Sequence, residues 1–342
     1  MKIFPRAVAA CAMLLGSAIG VAHAETTLRM STFIPATHFL IANAIVPWSE
    51  DVAKVTEGRV KINFTPKIVG SPAGQFDVVR DGLADVALIV PGYTPGRFDL
   101  AGIPEMPLLT HDTVVSAVAF ERLYRKYLQP AGLFKEVHVL GVFTGGGGHL
   151  FMRQKGVKSI ADLKGLKVRA AVASTVPMMT ALGTVPVLKS STEMYELLSS
   201  GVLDGSVSGF DQVVPFKLAD VSKHAVFIPG ALFNSAMMVA VNNDAWSKIS
   251  KADQDAIMRV SGETLAARAG KSFIGPIEDG TKVMKAAGNT VETASPQFVA
   301  DMTKVFEPSR RSMLDMAKKN GIKDPDEMWS WYTAEIKKLS AK

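Results

Sequence analysis

Residues Leu163–Thr175 read LKGLKVRAAVAST. The segment reads as a short strand, Leu166–Ala170, running into a helix over Thr175–Leu182. It also sets one arginine, Arg169, among Val168, Ala170, Ala171 and Val172. A guanidinium does not give up its charge, so a buried arginine needs an anion. No carboxylate stands close to it in the sequence. Two readings fit the pattern: alternation puts Lys167 and Arg169 toward water, or Arg169 turns inward and its anion comes from outside the chain.

Outward from this stretch, strand and helix patterns alternate, which predicts an α/β fold. TLRMSTFI (Thr27–Ile34), RVKINFTP and DVALIV read as strands. Thr37 to about Thr56 reads as a helix that Pro47 must kink or split. Asp112 is placed to cap a helix over Thr113–Leu128. VHVLGVF and HLFMR read as strands around the Gly145–Gly148 run, itself read as a turn, flexible or tightly packed. Further strands are expected at Pro186–Leu188 and Ala236–Asn242. The chain from Lys251 onward reads as helical, with one more strand near Asn289–Ala294. VRDGLADVALIV (Val79–Val90) and LSSGVLDGSVSG (Leu198–Gly209) share one pattern: helix end, Gly, two residues, Asp, strand. Gly82 and Gly201 suit left-handed helix ends, and Asp85 and Asp204 would open the strands. Two copies so far apart suggest two lobes of related topology, although Gly-x-x-Asp is also common turn chemistry.

The first residues, MKIFPRAVAACAMLLGSAIGVAHAETT, combine Lys2 and Arg6, a short apolar run and Ala22-His23-Ala24. That is the make-up of a secretory signal peptide over residues 1–24. The apolar run is shorter than the ~20 residues of a spanning helix, so no membrane insertion of the mature chain is expected. Removal of this leader takes the single cysteine, Cys11, and lowers the formal net charge from +6 to +4. An exported chain without disulfides is expected, long enough to bury a large core in two domains. Its positive charge is not gathered into a run, so nucleic acid is not an expected partner.

The signatures of enzymes are missing. There is no H-E-x-x-H, no cysteine nucleophile after the leader and no G-x-S-x-G; GSVSG (Gly205–Gly209) puts its serines in the wrong slots. The glycine run lacks the G-K-[ST] ending of a phosphate loop. No residue pattern calls for a metal or a cofactor. A periplasmic enzyme using His149 and Asp211 is the alternative from a different functional class.

The whole chain after the leader resembles the extracytoplasmic solute receptors of tripartite ATP-independent periplasmic (TRAP) transporters, the DctP or dicarboxylate-receptor family. The segment Asp162–Arg169 and the stretch that follows it to Gly209 carry most of the likeness. ETTLRMSTFIPATHFL, PWSEDVAKVTEGRVKINFTP, VRDGLADVALIVPGYTPGRFDL and NNDAWSKISKADQDAI support it. The resemblance implies a two-lobed periplasmic binding protein fold with a ligand cleft between the lobes and a long helix spanning both. Lobe I is expected over residues 25–148 plus about 236–275, and lobe II over 149–235 plus about 276–342. It also implies a periplasmic location, a small organic-acid ligand, membrane permease subunits as partners and no catalysis. A same-fold ligand sensor is the alternative.

In this family the arginine at the place of Arg169 grips a ligand carboxylate. Other positions depart from the pattern. Ser208 stands about where many members have asparagine, Gly147 where several have a second arginine, with His149 nearby, and Ser191 where a pocket phenylalanine is common. The expected ligand is therefore an aromatic or apolar monocarboxylate, packed against Phe33, Tyr93 and Phe210, although such aromatics are more often core residues. His149 would donate to a ligand oxygen or sit satisfied in its strand. Asp211 would repel a second carboxylate unless it meets a cation or takes a ligand hydroxyl.

Overall fold

The alternation resolves into eleven strands and a set of helices in the computed structural model, which describes residues 25–341. The leader and Cys11 lie outside the described residues. The strands are β1 (Thr26–Ser31), β2 (Val60–Phe64), β3 (Val86–Ile89), β4 (His138–Gly147), β5 (His149–Met152), β6 (Lys167–Ala170), β7 (Val185–Leu188), β8 (Gly205–Ser208), β9 (His224–Phe227), β10 (Asn234–Val241) and β11 (Thr290–Thr293).

They form two sheets, one in each lobe, with orders β2-β1-β3-β10-β4 and β11-β9-β5-β8-β6-β7. The sheets share a plan. In each, three parallel strands (β2-β1-β3 and β7-β6-β8) are followed by an antiparallel one, β10 beside β3 and β5 beside β8. The sequence echo lies at the matching place in both. Asp85 Oδ2 accepts from the Arg29 amide at 2.8 Å, and Asp204 Oδ2 accepts from the Lys167 amide at 2.8 Å. Each aspartate thus ties the third strand to the first at its entry. Gly82 and Gly201 end the preceding helices at φ 70° and 75°, a region that suits glycine.

One local expectation changes. The glycine run is not a turn. Gly145–Gly147 complete β4 against β10, with Asn234 opposite Gly147, Ala236 opposite Thr144 and a bulge at the two glycines between. Pro47 interrupts its helix as expected: the helical run over residues 39–55 passes through a π-helical turn at Ile41–Ile45 and hands over to the helix Val46–Val55 just before the proline.

The lobes are joined by several segments. Gly148, between β4 and β5, exchanges hydrogen bonds with Leu232 and Phe233, just before β10, both at 2.8 Å. The run Lys251–Ala286 is one long helical stretch, broken at Ser261 and bent at Phe273. Its segment Gly262–Ser272 packs on β4 and on the helix Thr113–Leu123, and its segment Ile274–Ala286 packs on the turn at Phe210–Gln212. The helix Pro296–Lys319 also spans both lobes. Phe298, Met302 and Phe306 share a core with Met178 and Met179, whereas Leu314 and Ala317, beyond Pro308, share one with Phe76 and Phe120. Ile322, Met328, Tyr332 and Ile336 join that second core, under the five-stranded sheet. No helix among the described residues is long and apolar enough to cross a membrane.

Candidate functional site

The carboxyl ends of the parallel strands face each other across the cleft, the place where open α/β sheets usually hold ligands. Phe33 follows β1, Tyr93 follows β3, Arg169 and Ala171 end β6, and Ser208, Gly209 and Asp211 end β8. All of these line one cavity of about 60 Å³. That volume holds a few waters. Gly145 and Gly146 of β4, Ser235 and Met237 of β10, and Phe273 of the long helix close it from the joining segments.

Arg169 is 3 % exposed, so it does not face water as alternation alone allows. Its Nε donates to the Lys189 carbonyl at 2.9 Å and its Nη1 to the Val207 carbonyl at 3.2 Å. A longer contact runs from Nη1 to Ser208 Oγ at 3.5 Å. Nη2 has no hydrogen-bond partner, and Arg169 forms no ion pair, among the described residues. Neutral carbonyls therefore aim the fork without neutralising it. Burial pulls the guanidinium pKa below its ordinary value, and nearby Tyr93 and Glu193 offset this in part. Glu193 is itself paired with Lys189 at 2.8 Å. The arrangement can receive one external carboxylate in the two-pronged geometry that guanidinium favours.

Arg169 is the single obligate cation among the lining residues, and much of the remaining wall is apolar: Phe33, Ile34, Leu40, Phe216, Phe233 and Phe273. Phe33 meets Tyr93 edge-on at 5.9 Å, and Phe273 meets Phe39 edge-on at 5.0 Å. Asp211 is 1 % exposed. Desolvation pushes its carboxyl up to about 6, against the opposing hydrogen bond from Gln212.

Of the nine candidate positions, Arg169, Phe33, Tyr93, Ser191, Ser208 and Asp211 meet at this cavity. Gly147, His149 and Phe210 do not line it. A Cβ at Gly147 would stand 2.8 Å from that of Ala231, so an arginine has no room there. His149 accepts from the Ile228 amide at 3.1 Å, stacks on Phe227 at 4.5 Å, and is pushed down to about 3 by burial. Its Nδ1 is thus tied to the backbone of its own lobe. Phe210 packs against Phe151 at 5.0 Å in the lobe core. The sequence reading missed His38, Gln212, Phe216, Phe233 and Phe273. Only His38 left a signal, an isolated histidine shortly after the first strand.

Three contacts hold the lobes together beside the cavity. The Ala173 amide donates to the Gly92 carbonyl at 2.8 Å, and the Ser191 amide donates to Tyr93 Oη at 3.4 Å. Ser174 Oγ donates to Glu105 Oε2, while Glu105 Oε1 accepts from the Ala236 amide. Glu105 is fully enclosed, and desolvation raises its carboxyl to about 7 despite those two donors.

Residues 30–316 match the family model of the bacterial extracellular solute-binding proteins, family 7 (DctP). A solved structure of a TRAP periplasmic solute-binding protein from Bordetella bronchiseptica, with bound (R)- and (S)-mandelate, is 36 % identical. It superposes with a TM-score of 0.88 over 92 % of this chain and 99 % of that one. A TRAP solute-binding protein from an unidentified marine microbe, described as specific for aromatic acid ligands and holding 3-hydroxybenzoate, is 28 % identical. Its TM-score is 0.85, over 92 % of this chain and 99 % of that one. A Comamonas testosteroni protein named outer membrane transporter protein TsaT is 26 % identical over 335 residues, 97 % of this chain and 98 % of its own length.

Proposed function

The chain belongs to the bacterial extracellular solute-binding proteins of family 7, receptors rather than enzymes, and on that premise we propose that its ligand is an aromatic monocarboxylate. The carboxylate sits on Arg169, and the ring lies among Phe33, Tyr93, Phe216 and Phe273. The observation that carries this reading is a buried guanidinium with an unused Nη2 and no ion-pair partner among the described residues, at the end of an otherwise largely apolar cavity. A dicarboxylate would find one cation and, across the cavity, Asp211. The ligands of the mandelate and hydroxybenzoate receptors support the same class.

Ligand capture closes the two lobes about the segments that join them. The tail beyond Pro308 is assigned to the first lobe, because residues 314–336 pack under its sheet. The leader over residues 1–24 directs the chain to the periplasm, where it hands its ligand to the permease subunits of a TRAP transporter.

A thermal-shift series on the chain from Glu25 onward tests the reading. Aromatic monocarboxylates, C4-dicarboxylates, 2-oxo acids and sugar acids would each be added to the parent and to Arg169→Ala. A ligand that binds only the folded state raises Tm by mass action. The expected result is a rise with aromatic acids that Arg169→Ala abolishes. A rise with dicarboxylates or sugar acids alone would contradict it.

A further inference from the structure

Among the polar groups of the cavity wall that the carboxylate clamp does not use, two titratable ones stand out. Asp211 Oδ2 accepts from Gln212 Nε2 at 2.7 Å, but Oδ1 is buried with no partner. Buried carboxylate oxygens ordinarily find donors. Room for this one is kept by two glycines: a Cβ at Gly146 or Gly209 would stand 2.1 or 2.0 Å from Oδ1. Both glycines and Asp211 line the cavity. The other group is His38, 6 % exposed. Its Nδ1 accepts from the Leu40 amide at 3.2 Å. Burial pushes its pKa down to about 4, so at neutral pH the ring is uncharged and its proton sits on Nε2. Nε2 has no partner among the described residues.

We propose that Asp211 and His38 form a hydroxyl subsite, so that the preferred ligand is an aromatic acid bearing a hydroxyl group. The proposal rests on the aromatic-acid reading above. Beside the hydroxyls of Tyr93, Ser191 and Ser235, the wall has one buried acceptor without a donor, Asp211 Oδ1, and one imidazole donor without an acceptor among the described residues, His38 Nε2–H. A hydroxyl satisfies both, giving its hydrogen to Asp211 and accepting from His38. An ammonium has no lone pair for His38. A second carboxylate has no hydrogen for Asp211, and a keto oxygen has none either. A site built to bond a hydroxyl rejects the analogue that lacks it, because its own buried groups are then left unpaired.

The test is calorimetric titration of the chain from Glu25 onward with matched pairs: mandelate against phenylacetate, and 3-hydroxybenzoate against benzoate. Phenylglycine serves as the amine counterpart. In at least one pair the hydroxy acid is expected to bind about tenfold tighter or better, the worth of one hydrogen bond to a charged group. That ratio should fall to about threefold or less in Asp211→Leu and, independently, in His38→Phe. Equal binding within both pairs overturns the proposal without help from either variant. A ratio that survives both substitutions also overturns it, and phenylglycine binding tighter than mandelate replaces the hydroxyl with an ammonium. Failure of every aromatic acid to bind would instead remove the aromatic-acid reading, an outcome distinct from equal binding.

Discussion

Two of the regions in which this protein buries charge treat it in opposite ways. Under the five-stranded sheet, Glu121 is 3 % exposed and fully partnered. Arg125 Nε donates to it at 2.6 Å and the Val142 amide at 2.8 Å. Next to it, Arg122 is shared between Glu263 and Glu335, tying the helix Thr113–Leu123 to two distant helices. In the cleft, Arg169 and Asp211 are as deeply buried, yet one has no counter-ion among the described residues and the other has an oxygen with no donor. An ion buried for the fold is neutralised by the fold, because desolvation is too costly otherwise. An ion buried without a partner marks the place where something from outside completes the structure.

The comparison breaks first at Glu121. Glu121→Ala leaves Arg125 and the Val142 amide without their acceptor, and urea unfolding should report a loss of roughly 3–5 kcal/mol. A loss below about 1 kcal/mol would mean that the first-lobe network is no more structural than the cleft.

Glu105 sharpens it, since this carboxylate is buried between the lobes with neutral donors only. Its folded pKa is about 7 against an ordinary 4.5. The folded state therefore binds more protons than the unfolded state across that window, and stability falls as pH rises through it. Glu105→Gln keeps an acceptor for the Ala236 amide, offers Ser174 a donor in place of an acceptor, and removes the titration. Parent stability relative to this variant should drop by on the order of 3 kcal/mol between pH 4.5 and 7.5. A flat difference would contradict the burial of the charge. The smallest effect is expected at Tyr93→Phe. It removes one long hydrogen bond between the lobes, and the affinity for an aromatic acid should fall by less than about tenfold, with the unliganded stability unmoved.

The features that were legible in the sequence are local ones. Asp112 caps its helix, accepting from the Val114 and Val115 amides at 2.9 Å, because capping needs only the next three residues. The Gly-x-x-Asp echo marks matching strand entries because the same short-range geometry recurs in both lobes. Arg169 stood out because an obligate cation in an apolar run is conspicuous. Phe216, Phe233 and Phe273 had no such contrast. Each reads as an ordinary apolar residue, and only the meeting of two lobes turns it toward a ligand cavity. The glycine run misled for the same reason. Its strand character comes from β10, about ninety residues away, and two of its neighbours in space, Asp211 and Ala231, are equally remote.

Arg169→Met, measured in two ways on one preparation, tests the central claim most directly. The long apolar side chain keeps most of the packing and removes the charge. Urea unfolding without ligand is expected to give a stability equal to or above the parent, since a desolvated and unneutralised cation has been removed. Titration with the aromatic acid that stabilises the parent is expected to show a loss of roughly 2–5 kcal/mol in binding. A variant that loses stability while its ligand affinity holds would place Arg169 with Glu121, as part of the fold, and would contradict the account.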